Sequence, residues 1–344
     1  MSYFKNSFII SLLGLILAYF VDGFTAVWIT LVLAILEVSL SFDNAVVNAQ
    51  VLKTMDATWQ HRFITWGMAI AVFGMRFVFP ILIVSIAIGI NPWAAFMLAL
   101  DSPNDYQHAL ESVHVSVMGF GGVFLMMVAT NFFIDAEKEV HWFESIENKM
   151  SSAGSMPALK ILKFEINGVS SLVTLLIVLV TAKVILNLHG TSEALSFIYS
   201  SIAGMVTYYL VDSIEGFLGV EESSVSTAKS GLASFIYLEV LDSSFSFDGV
   251  LGALALSNNI FIIAIGLGIG ALFVRSLTIM MVEKGTVDQF IYLEHGAFYA
   301  IFGLASIMFI NTVYEIPESV TGLLGAAFIV ASVMSSIKYN KSKI

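Results

Sequence analysis

Cysteine is absent from the 344 residues, so disulfides, thiolate metal sites and thiol catalysis are all excluded. Charge is scarce: 12% of the residues are Asp, Glu, Lys or Arg, against roughly 25% in soluble domains. No nucleotide-binding motif is present, and neither a cytosolic enzyme nor a nucleic-acid binder fits so apolar a chain. What there is instead is hydrophobic surface, 58% of the residues, more than a soluble core can hide. Most of it must face lipid, so the expected fold is an all-α polytopic membrane bundle.

A bilayer span needs about 20 mostly apolar residues. Ten stretches qualify: Phe4–Val21, Phe24–Gln50, Phe63–Ile90, Val113–Ile134, Ile166–Leu188, Leu195–Leu218, Gly231–Ser257, Ile260–Val282, Phe290–Ile310 and Ser319–Ile337. The first has no small-x-small cleavage site after it and reads as an anchor helix, residues 1–23. With a cytoplasmic N-terminus, twelve of the fifteen Lys and Arg fall on the cytoplasmic side: Lys5, Lys53, Arg62, Lys138, Lys149, Lys160, Lys163, Lys229, Lys284, Lys338, Lys341 and Lys343. Outer loops receive none, and Arg76, Lys183 and Arg275 lie within spans. That asymmetry predicts a multi-pass protein of the cell (inner) membrane with both termini inside. The longest loop, residues 135–165, is then cytoplasmic and divides the chain.

Polar residues are costly in a bilayer, so their recurrence is informative. Leu36-Glu37-Val38-Ser39-Leu40-Ser41-Phe42-Asp43 aligns with Leu241-Asp242-Ser243-Ser244-Phe245-Ser246-Phe247-Asp248 at five identical positions of eight, with Glu37 against Asp242. On the following spans Gly67, Ile70 and Arg76 recur as Gly266, Ile269 and Arg275, and His114 and Gly122 as His295 and Gly303, each set with equal spacing. The chain therefore reads as repeat 1 (24–134), a loop (135–165), two inserted spans (166–230), repeat 2 (231–311) and a last span with its tail (312–344). The two copies enter the membrane from opposite sides, an arrangement that places transporter sites at the repeat interface.

Depth arithmetic puts Glu37 and Arg76 about 20 Å from the same membrane face, and gives Asp242 and Arg275 a matching relation. Glu37, Asp43, Asp242 and Asp248 against these two counter-charges leave −2, which a divalent cation would neutralise. Glu37 and Asp43 are about 120° apart on an unbroken helix, so sharing a cavity requires a break between them. Glu239 lies one turn before Asp242 and is a possible further ligand. Ser41 and Ser246, four residues after each acid, are others. Asp212 and Glu215 sit near the end of their span, where interfacial solvation accounts for them.

The stretches Leu36–Ala45 and Asp242–Val250 resemble the two signatures of the TerC family of integral membrane proteins, over roughly residues 36–131 and 239–311. Gly249 departs from the pattern, and so do the two inserted spans. The resemblance implies tellurium resistance or manganese export, with the carboxylates Glu37, Asp43, Asp242 and Asp248 as the ion site; Asn44, next to Asp43, is a further expected metal ligand. The expected function is export of a divalent cation, Mn2+ by preference, since all-oxygen ligands suit it. That cation is substrate rather than resident cofactor. The expected surroundings are the lipid bilayer and other membrane proteins. An accessory protein that delivers metal to secreted proteins would need the same site. An intramembrane aspartyl protease built on Asp43 and Asp248 fits less well, because neither aspartate sits in a Gly-x-Gly-Asp motif, and no enzyme activity is expected.

Overall fold

A computed structural model describes residues 3–342 apart from 68, 136–137, 139, 155–158, 162–163, 167 and 218–230. Lys163, Lys229 and Lys343 thus lie outside the described residues, as do the side chains of Lys160, Glu215, Asp248 and Glu318. The chain forms an all-α polytopic bundle. In order, its helices are α1 (Lys5–Leu40), α2 (Phe42–Thr54), α3 (Ala57–Arg62), two π-helical segments (Phe63–Gly67 and Ile70–Val78), α4 (Phe79–Ala87), α5 (Pro92–Asp101), α6 (Pro103–Glu111), α7 (His114–Ile134), α8 (Glu144–Gly154), α9 (Gly168–Leu188), α10 (Thr191–Phe217), α11 (Gly231–Leu256), α12 (Ile260–Glu283), α13 (Thr286–Gln289), α14 (Leu293–Asn311) and α15 (Glu318–Ser342). A small antiparallel hairpin, β1 (Leu159–Ile161) with β2 (Phe164–Ile166), interrupts the long loop.

Eight helical stretches among the described residues are long and apolar enough to cross a bilayer. The first of these, α1, has 36 residues, about 54 Å of helix and too much for one 30 Å crossing. It folds back at Asp22 and Gly23, where Gly23 takes φ 63°, a conformation that glycine accepts without strain. The packing proves the reversal. Ser7 Oγ lies 2.7 Å from Ser276 Oγ, and Gly14 sits against Ile265 and Ile269, so the first half runs opposite to α12. Leu33 meets Gly266 and Glu37 meets Gly270, so the second half runs with it. α11 completes the ten passages expected; its three carboxylates (Glu239, Asp242, Asp248) keep it out of the apolar set.

Direction carries information about the repeats. The second half of α1 opens copy one and α12 is the second span of copy two, and they run parallel, as inverted copies require; direct copies would set them antiparallel. The contacts recur across the molecule: Gly266 against Leu33 and Thr30 is matched by Gly67 against Glu239. Glycines at these crossings let backbones approach closely enough to bury polar side chains between them. α7 lies at the centre, with Phe124, Leu125, Met126 and Met127 fully buried. The periphery is the reverse, with Phe20 79% and Ile86 81% exposed, a surface only lipid can cover.

The loop after α7 is tied to the bundle by one buried acid. Glu147 on α8 is fully buried, and its carboxylate accepts from Lys138 Nζ (2.9 Å), Tyr299 Oη (3.1 Å) and the Phe143 backbone N–H (3.1 Å). His295 Nε2 lies 3.3 Å from it and 2.8 Å from the Val140 carbonyl, which accounts for one of the two repeated histidines. Burial alone would raise the Glu147 pKa, but the hydrogen bonds from His295, Lys138 and Phe143 win and hold it at about 2.

Two outcomes follow from this packing. A Cβ at Gly270 would overlap the Glu37 side chain and approach the Ala34 carbonyl to 2.9 Å, whereas one at Gly74 meets nothing closer than 3.4 Å. Gly270→Ala should destabilise by about 1–3 kcal/mol while Gly74→Ala is neutral or stabilising, measured by thermal melting in detergent. For the loop, a depressed folded pKa means that docking contributes fully above the ordinary carboxylate value and is lost as pH falls through about 2. Glu147→Gln should therefore expose α8 to limited proteolysis at neutral pH, and wild type should match it only in strong acid.

Candidate functional site

Where three elements cross at mid-bundle, the sequence places charge in the interior. α1 ends one turn after Glu37: Ser41 leaves helical geometry at φ −101°, ψ 18°, and α2 starts at Phe42. This is the break expected between Glu37 and Asp43, although it falls at Ser41 rather than at Asn44. In the second copy α11 runs unbroken through Asp242 to Asp248. The two serines differ accordingly. Ser41 Oγ turns onto the Glu37 carboxylate (2.9 Å), while Ser246, inside a continuous helix, donates back to the Asp242 carbonyl (2.6 Å).

Arg76 joins the copies. It sits in the wide π-helical turn of the third span, a geometry found often at functional positions. Its guanidinium pairs with Glu37, lies 3.8 Å from Asp242 Oδ2 and donates to the Ala71 carbonyl at 2.5 Å. Asp242 also accepts from the Asn44 side-chain amide. All four groups are buried, with Glu37 and Arg76 each 4% exposed. One arginine thus holds an acid from each repeat, in a setting where water cannot screen them.

The expected pairing of Asp242 with Arg275 does not form. Arg275 stacks on the Phe63 ring at 3.5 Å and donates to the Phe63 carbonyl, so cation–π and backbone partners replace a carboxylate. Glu239 lies beside it across Gly67, with both carboxylate oxygens buried and without hydrogen-bond partners. Asp43 stands apart from the cluster: its carboxylate accepts from the Asn44 backbone N–H (3.0 Å) and faces Gly325 on α15. Among the described residues, no three His, Asp or Glu side chains are gathered closely enough to hold a metal ion. Glu37, Asp43 and Asp242, the described members of the expected set, are therefore not gathered around one point in this conformation.

Spare acceptors surround the ion pair. Asn44 Oδ1 and Asn48 Oδ1 are buried without partners. Asn48, Asp242, Arg76 and Arg275 line a cavity of about 10 Å³, the size at which a single water just fits. Sequence reading missed Asn48. Its signal was available, since Asn44 and Asn48 are four apart and share one face of α2. Gly249, the departure from the signature, lies beside Glu37, and a Cβ there would meet the carboxylate at 3.4 Å, an ordinary contact, so packing alone does not demand glycine.

Residues 42–343 match the family model described as Protein of unknown function (DUF475), and the chain belongs to that family. The match begins after Glu37 and takes in the rest of the cluster. Comparison with curated proteins and with solved structures returns no match.

Removing one member of a buried ion pair strands the other, at a cost of about 3–5 kcal/mol. Arg76→Gln and Glu37→Gln should each destabilise by about 3 kcal/mol, and the double variant by clearly less than their sum. Thermal or denaturant unfolding of the four proteins in one detergent reads this coupling; strict additivity would mean that the pair contributes nothing.

Proposed function

We propose that this protein is a secondary transporter that exports a divalent cation, Mn2+ by preference, across the cell membrane. The observation that carries this reading is Arg76 bridging Glu37 and Asp242, one acid from each copy. In an apolar bundle that bridge has a high desolvation cost and little structural need. A cation site that must stay closed when empty explains it: Arg76 holds the acids together, and a divalent ion competes with it for them. Its guanidinium already has a second partner, the Ala71 carbonyl, to which it retreats.

The unpaired oxygens of Asn44 and Asn48 are the next ligands in reach, all hard donors suited to Mn2+, Mg2+ or Ca2+. Asp43 joins from α2, whose break at Ser41 is the natural hinge, and Asp248 is its counterpart in the second copy. Both termini lie in the cytoplasm in this reading, and the TerC-like signatures, with their link to manganese and tellurium, favour the same assignment. No enzymatic step is proposed: neither Asp43 nor Asp248 sits in a Gly-x-Gly-Asp motif.

The experiment is Mn2+ flux in liposomes containing the purified protein. Wild type should carry saturable flux. Asp242→Asn should lose it while remaining folded, because one strong oxygen ligand and one charge are gone. Arg76→Lys should keep part of it, since the charge survives without the planar fork. Flux in Asp242→Asn equal to wild type would remove the site from the pathway.

A further inference from the structure

The two inserted spans have no counterpart in the repeats, and a cavity of about 290 Å³ gives one of them a use. It lies between α2, α10, α11 and α14, and is lined among others by Gln50, Thr54, Asp212, Ser234, Tyr237 and Glu294. Thr54 and Asp212 at its rim are exposed, while Val47 and Ser234 at its floor are buried. The cavity is thus a pocket that opens at the end of the bundle carrying Lys53. Its wall on one side is α10, from the inserted pair.

The chemistry of the lining is that of a cation receptor. Asp212 and Glu294 stand on different helices around one space. Lys53, on α2 beside the rim, is paired with Asp288 at 2.8 Å. Independently of the acids, Ser234 Oγ is buried, 3% exposed, and has no hydrogen-bond partner, so an acceptor or donor is missing at the floor. Hydroxyls and an amide around two carboxylates suit a cation that keeps its water, and the volume allows it, each water taking about 30 Å³ in the liquid. The floor leads inward. Thr54, Gln50 and Val47 follow at helical spacing on α2, and the next residue on that face is Asn44, which holds Asp242.

Building on the transport reading, we infer that this pocket is a second, outer-sphere binding site for a hydrated divalent cation, and that α10 is retained to wall it. Asp212 and Glu294 gather the ion with its water shell; the ion loses that shell only on reaching Glu37 and Asp242. The charged side chains described in the lining are both acidic, and such a cleft raises the local cation concentration without taking part in the later steps.

Hexaamminecobalt(III), which carries six non-exchanging ammines in place of waters, is the probe that separates the two sites. Calorimetric titration of the intact protein in nanodiscs should show it binding to wild type and equally to Asp242→Asn. Asp212→Asn/Glu294→Gln should bind about tenfold more weakly, the lower end of such focusing. In liposomes the double variant should raise the KM for Mn2+ by a similar factor and leave the saturated rate unchanged. Should the double variant prove unstable, Asp212→Asn alone, an exposed substitution, keeps the titration readable. Equal binding by wild type and the double variant, or no binding by wild type, overturns the inference. Absence of Mn2+ flux in wild type defeats the transport reading instead, and the titration still decides the pocket.

Discussion

Arg76 is the constraint around which the bundle is arranged. A guanidinium and two carboxylates buried in an apolar membrane protein are stable only if each satisfies the others, since neither lipid nor water is there to do so. The pairing with Glu37 and the approach to Asp242 set the relative positions of α1, α11 and the third span. Their helices must come close enough for short side chains to meet. Gly270 packs directly on Glu37 and Gly67 on Glu239, so the glycines of the crossings and the charges of the centre are one design.

Inverted copies make such a centre economical. Each repeat supplies an acid from its first span, and the parallel packing of the second half of α1 on α12 brings the copies together in opposite orientations. Symmetry is nevertheless broken in the detail. The break at Ser41 exists only in copy one, and Arg275 turns to Phe63 where Arg76 turns to acids. The centre thus has one bridging arginine and one held away from the acids, so the two copies are not equivalent there.

Much of this was legible in the sequence, for physical reasons. Buried charge is so expensive in a bilayer that Glu37, Arg76, Asp242 and Arg275 had to be clustered or functional, and their repetition named the partners to within one helix. The reversal at Asp22 and Gly23 followed from length alone. Two things were not legible. Depth arithmetic fixes height and not azimuth, so it could not tell that Asp242 would face Arg76 and Asn44, that Arg275 would meet the Phe63 ring, or that Asp43 would turn to Gly325. Nor could it see Glu147, an acid in a charged loop whose importance comes only from the chain folding Lys138, His295 and Tyr299 around it.

The central claim is that acids from both copies form a single cation site for which Arg76 competes. Electron paramagnetic resonance of Mn2+ titrated into the purified protein addresses it without need of flux. One ion per chain bound directly by protein oxygens is expected, distinct from any hydrated ion in the α10 pocket, and lost in both Glu37→Gln and Asp242→Asn. Retention of that ion at wild-type affinity in either variant would show that the two copies do not share a site.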